Sequence, residues 1–186
     1  MLTGVISVIS AISVLLVQEL FFKRKEKAKQ IKKMAGYVIY NLDKVALKCA
    51  FISQDIDLFF QTKYEDEFGT NSYMGKIDWT IPDLNAVINE SAIDLLDAED
   101  VFSINEISLK TMVLQEEINF ALIDLMEPED ATNNVWESIT FVGYKALNIS
   151  NRLKKKYEFE LKYSIDSEES INEMMKKYDK FNNAKE

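Results

Sequence analysis

Apolar residues fill the start of the chain almost without interruption. From Leu2 to Val17 there is no charge, the first charge is Glu19, and the run closes at Phe22. At about 1.5 Å of rise per residue a helix over this stretch reaches roughly 31 Å, close to the hydrocarbon thickness of a bilayer. The pattern therefore predicts an uncleaved transmembrane anchor over 1–22. A secretory signal fits less well, because no basic side chain precedes the run and Phe21-Phe22-Lys23-Arg24 offers no small-residue cleavage site. Glu19 stands one turn before Lys23 and can snorkel with it.

The polarity then reverses. Lys23, Arg24, Lys25, Lys27, Lys29, Lys32 and Lys33 crowd into 23–33 beside the single Glu26, for a segment charge of +6. Such a juxtamembrane stretch is expected to touch anionic lipid headgroups and to hold its side of the chain in the cytoplasm, with the N-terminus outside the cell membrane. Within the apolar run Thr3, Ser7 and Ala11 have small-xxx-small spacing, and Ser10 and Ser13 add hydroxyls nearby. That face predicts self-association between spans. The alternative is that the hydroxyls bond only their own preceding carbonyls.

Beyond the basic segment a helical register resumes at Ile31, Met34, Val38, Val45, Cys49, Ile52, Ile56 and Phe59, with Asn41 or Leu42 filling the gap. Steps of three and four over this length predict one helix running to about Tyr64, heptad-like along one face. Gly36 weakens it by about 1 kcal/mol against alanine and marks a candidate bend. Residues 65–83, "EDEFGTNSYMGKIDWTIPD", read as a long connection in which Phe68, Tyr73 and Trp79 plug the end of a bundle or form a recognition surface.

Three more bundle helices follow. One starts after Pro82 with Asp83 in its first turn and buries Leu84, Val87, Ile88 and Leu95. The next is opened by Asp100 or by a Ser103–Glu106 capping box and uses Ile104, Ile107, Leu114, Ile118, Leu122 and Leu125, stopping before Pro128. The third begins near Asp130 and follows Val135, Ile139, Val142, Ala146, Ile149 and Leu153. Residues 157–166 alternate as a strand would, yet Leu153, Tyr157 and Leu161 also continue the helix, so it is read to about Tyr163. Asp166 and Glu169 then cap a short amphipathic helix bearing Ile171, Met174, Met175, Tyr178 and Phe181. The predicted class is all-α: an anchor over 1–22, a basic segment over 23–33, an antiparallel bundle of about four helices over 34–163, and a C-terminal helix with a frayed tail over 164–186.

Composition narrows the chemistry. With 5 Gly and 2 Pro the chain is too poor in turn formers for a many-stranded fold. It has no histidine and one cysteine, Cys49, which excludes a disulfide within the chain, a Cys/His zinc site and any nucleophile paired with a histidine base. No Walker loop or dinucleotide fingerprint is present. The carboxylates of "DLLDAED", 94–100, lack the alternation and glycine of a calcium loop and read as a helix end and a cap. No catalytic, cofactor or metal residue is assigned, and no cofactor is expected.

Net charge is -9 overall, but -14 over 34–186 once the basic segment is set apart. An acidic body repels nucleic acid. Arg152, Lys154, Lys155 and Lys156 form the one dense basic group in that body. They read as cations at a helix C-terminus or as a secondary basic patch facing the membrane. Expected partners are membrane lipids, further copies of the chain and an unidentified protein. The function expected is a membrane-tethered scaffold, adaptor or sensor. The alternative is a membrane-acting effector, such as a regulated pore of a bacterial defence or toxin system.

Overall fold

The computed structural model describes residues 2–65, 79–84, 96–123, 128–160 and 165–183, with side chains for 19–57, 79–84, 96–120, 135–160 and 166–183. Among the described residues there are four helices and no strand: α1 (Leu2–Glu65), α2 (Ala98–Ile123), α3 (Pro128–Tyr157) and α4 (Ile165–Asn183). The all-α reading holds. The helix expected between Pro82 and Leu95 lies outside the described residues apart from Leu84, which is buried.

α1 is one unbroken helix because nothing between Leu2 and Glu65 stops it: no proline, and Gly36 at an ordinary helical φ. Its buried stripe is Ala35, Val38, Ile39, Leu42, Val45, Ala46, Cys49, Ile52 and Ile56, the predicted three-and-four stepping. Asn41 and Leu42 both turn inward, and Asn41 satisfies itself by donating to the Tyr37 carbonyl at 2.8 Å. The helix runs on through Gly36, where the Phe159 ring lies 2.9 Å from the position a β-carbon would take.

α3 lies antiparallel along α1, as the pairings Gly36 with Phe159, Asp43 with Lys154 and Ser53 with Trp136 show. α2 is antiparallel to α3 in turn, Glu99 meeting Arg152 and Lys110 meeting Phe141. α1 and α2 therefore run parallel, and a tight turn cannot join them. α4 packs into the groove between α1 and α3. At its centre Gly143 brings three helices together: a β-carbon there would run into the Met174 sulfur and stand 2.7 Å from Cys49 Cβ. Trp79, Ile81 and Leu84 insert into the same core.

Three boundaries differ from expectation. Pro128 opens α3 instead of merely preceding it, since its fixed φ and missing N–H suit the first helical position. Asp97, not Asp100 or Ser103, precedes α2, its carbonyl accepting the first helical bond from Val101 N–H at 3.0 Å. Ser103 is inside the helix and donates to the Glu99 carbonyl. α3 ends at Tyr157, not near Tyr163. Glu158 takes a left-handed φ of 57° and Phe159 N–H reaches the Lys154 carbonyl at 2.9 Å. This is a Schellman closure with Glu158 where glycine usually stands.

The location requires correction. Among the described residues no helix is long and apolar enough to cross a membrane. From Glu19 onward the described side chains of α1 carry a charge at least every few residues as far as Lys33, and each charge costs about 3 kcal/mol at a bilayer centre. The expected single-pass anchor, with the N-terminus outside the cell membrane and the bundle in the cytoplasm, is overturned by this finding. The small-residue face of Thr3, Ser7, Ser10, Ala11 and Ser13 lies outside the residues whose side chains are described.

Candidate interaction surface

The most unusual element is α2. Its inner face carries Ile104, Ile107, Leu114 and Ile118, all fully buried against the bundle. Its outer face is apolar as well. Phe102 is 72%, Leu109 62% and Phe120 68% exposed, with Met112 and Val113 about half exposed. At 100° per residue Phe102, Leu109, Val113 and Phe120 fall within one narrow stripe, opposite the buried one. A helix that is apolar all round belongs inside something, yet here one side faces water. The stripe is bordered by Glu99, Glu106, Glu116 and Glu117. Lys110 pairs with Glu106 at 2.8 Å, which holds that carboxyl below its ordinary range.

Grooves flank the stripe on both sides. One, of about 520 Å³, opens between α2 and α3 beside Leu109, Val113 and Phe141. The other, of about 330 Å³, lies beside Met112 and is closed by Ile81 and Pro82. Ile81 N–H donates to Gln115 Oε1 at 2.7 Å and fixes that edge.

The second exposed feature is the arm of α1, residues 19–33. Leu20, Phe21 and Phe22 are more than half exposed. Lys23, Arg24, Lys25, Lys27, Lys29, Lys32 and Lys33 are all exposed. At its base Lys32 lies over the Phe159 ring, 5.5 Å from the centroid.

The basic group on α3 is not an open patch. Lys154 is buried and reaches Asp43 at 2.9 Å, where Ser150 also donates at 2.6 Å. Arg152 contacts Glu99 and Asp100 at 3.3 Å and Ser103 at 2.9 Å. Lys156 bridges Asp97 and Asp100 at 2.5 Å each. Its ammonium is held well above the usual range, first by the hydrogen bond to Asp100 and then by that to Asp97. Arg152 and Lys156 thus clamp α3 to the start of α2, Lys154 fastens α3 to α1, and Lys155 is exposed. The acidic run 94–100 supplies the other half of the clamp.

A serine and a lysine also meet, but not as a catalytic pair. Lys177 Nζ donates to Ser53 Oγ at 3.0 Å and to the Ser53 carbonyl at 3.2 Å, and pairs with Asp57. Trp136 Nε1 donates to the same Ser53 oxygen at 3.0 Å. Ser53 is buried, so no substrate reaches it, and Asp57 engages the amine a base would need. The arrangement fastens α4 to α1. Trp136 against Phe181 and Tyr144 stacked on Tyr178 at 3.6 Å complete that seam, so these aromatics pack between α3 and α4. Cys49 is buried, and burial pushes its thiol up to about 12, so it is no nucleophile. Among the described residues no group of acidic or cysteine side chains has the arrangement of a metal site.

Trp79, expected to plug the bundle, is buried; Phe68 and Tyr73 lie outside the described residues. Among the described residues its indole N–H has no acceptor. The outer face of α2 escaped the sequence reading, although Phe102, Leu109, Val113 and Phe120 at steps of seven, four and seven were there to find. The chain matches no family model, none of the curated proteins and none of the solved structures.

Proposed function

We propose that this chain is a self-associating helical interaction module, a scaffold, adaptor or sensor, and that it is not an enzyme. The observation that carries the reading is α2, apolar on both faces with Phe102, Leu109 and Phe120 each more than 60% exposed. Burying three such side chains is worth on the order of 5 kcal/mol, a strong bias toward association. Three ion pairs away from that surface hold helices together: Asp43 with Lys154, Asp57 with Lys177, Asp100 with Lys156.

Sedimentation equilibrium of the full chain tests the reading, run beside Phe102→Ser/Phe120→Ser. A mild non-ionic detergent keeps the uncharged stretch 2–17 from aggregating. The chain is expected to associate at micromolar concentration and the variant to dissociate with unchanged helix content. A full chain that stays monomeric overturns it.

A further inference from the structure

The two exposed features are opposite in charge and similar in length. The stripe from Phe102 to Phe120 spans about 27 Å and the arm from Leu20 to Lys33 about 20 Å, at the helical rise. The outer side of α2 carries Glu106, Glu116 and Glu117 against Lys110, and the arm carries +6 with three exposed apolar side chains at its far end. A surface that is apolar at its centre and acidic at its border is complementary to a basic helix with an apolar end.

Their placement along the bundle matters as much. α2 begins level with Arg152 and Lys156 of α3, and Phe159, just beyond, lies on Gly36 of α1. The arm leaves the bundle at the end where α2 starts, and the two features follow one another along one axis. A two-fold axis perpendicular to the bundle, passing beside α1 and offset from it toward the outer face of α2, inverts a second copy. It lays the arm of each copy along the α2 of the other, with both contacts formed at once. Closed two-fold symmetry is the commonest form of self-association. The arm does not fold back onto its own α2, because α1 continues as helix through Gly36 and the arm lies beyond the end where α2 starts.

Resting on the reading above, we infer that the partner of α2 is the arm of a second copy: Phe102, Leu109, Val113 and Phe120 receive residues 20–33 of the other chain, reciprocally. Glu106, Glu116 and Glu117 face the lysines of that arm. The pairing is heterotypic, basic on acidic, and the dimer is antiparallel and salt-sensitive.

Site-directed cross-linking of the full chain tests this against other ways of associating. Cys49 is buried, so it leaves introduced thiols without background. Lys29→Cys and Asn105→Cys are both exposed positions, carried on chains bearing different tags. Mixed, they are expected to form a dimer through a short bis-maleimide, while each alone forms little. Lys25→Glu/Lys29→Glu/Lys32→Glu is expected to weaken association at least tenfold. Mixing it with Glu106→Lys/Glu116→Lys/Glu117→Lys is expected to restore one of the two contacts. If Asn105→Cys links to itself, or no mixed product forms although the chain sediments as an oligomer, the arm is not the partner and other faces meet. In that case self-association stands and this inference falls. If the chain sediments as a monomer, both fall.

Discussion

The Lys154 ammonium lies 2.9 Å from the Asp43 carboxylate, both buried where α3 crosses α1, and Ser150 donates to the same carboxylate oxygen. A buried pair of this kind contributes modestly against apolar replacements, but loss of one partner strands the other.

Asp43→Asn and Lys154→Met are therefore each expected to cost about 3–4 kcal/mol. Asp43→Leu/Lys154→Met is expected to cost far less than the sum. Urea unfolding of the four chains, followed by helical circular dichroism, reads this directly; additive single effects contradict it.

Gly143 permits the closest approach in the bundle. Gly143→Ala gains up to about 1 kcal/mol of helix propensity, but its methyl would collide with Met174 and Cys49. We expect a net loss of about 2 kcal/mol. Met174→Ala on the same chain is expected to recover part of that loss, because the sulfur is one of the two obstacles and the Cys49 β-carbon is the other. Thermal melts of the single and double variants check the sign of the coupling.

Glu158 holds a left-handed conformation that costs a non-glycine residue about 1 kcal/mol. Glu158→Gly is expected to raise stability slightly, and Glu158→Val to lower it by more than 1 kcal/mol. The same unfolding assay distinguishes them.

Lys156 is raised above its ordinary range by Asp100 and Asp97. Its contribution is thus fully present below the unfolded value near 10.4 and is lost as pH rises through the folded value. Because the side chain is about a third exposed, the contribution is on the order of 1 kcal/mol. The stability difference between the native chain and Lys156→Met is expected to stay level from about pH 7 to 10 and to shrink above about pH 10.5. Burial of Cys49 also weakens the fold once the pH passes the ordinary range of a free thiol, because the buried thiol is pushed up to about 12. That effect is common to both chains and cancels in the difference.

Local rules reached some elements and not others. α1 was legible almost to its last turn, Tyr64 against Glu65, because its apolar steps are unbroken and it is free of proline. The core positions of α3 were legible for the same reason. Its end was not. Leu161 fits the helical register, and only the left-handed Glu158, which folds Phe159 back onto Gly36, shows where the helix stops. The Ser103–Glu106 spacing suggested a cap that Asp97 preempts. The acidic run 94–100 and the basic run 152–156 each looked like a solvated end, since their pairing joins residues some fifty positions apart. The outer stripe of α2 stayed hidden because apolar side chains on both faces cancel the asymmetry by which an amphipathic helix is recognised.

Self-association through α2 is tested most directly by sedimentation equilibrium of the full chain across low micromolar concentrations, at low and high salt. The expected result is a reversible oligomer that weakens as salt rises and is lost in Phe102→Ser/Phe120→Ser. A native chain that remains a monomer throughout, or an oligomer indifferent to both substitutions, contradicts the account.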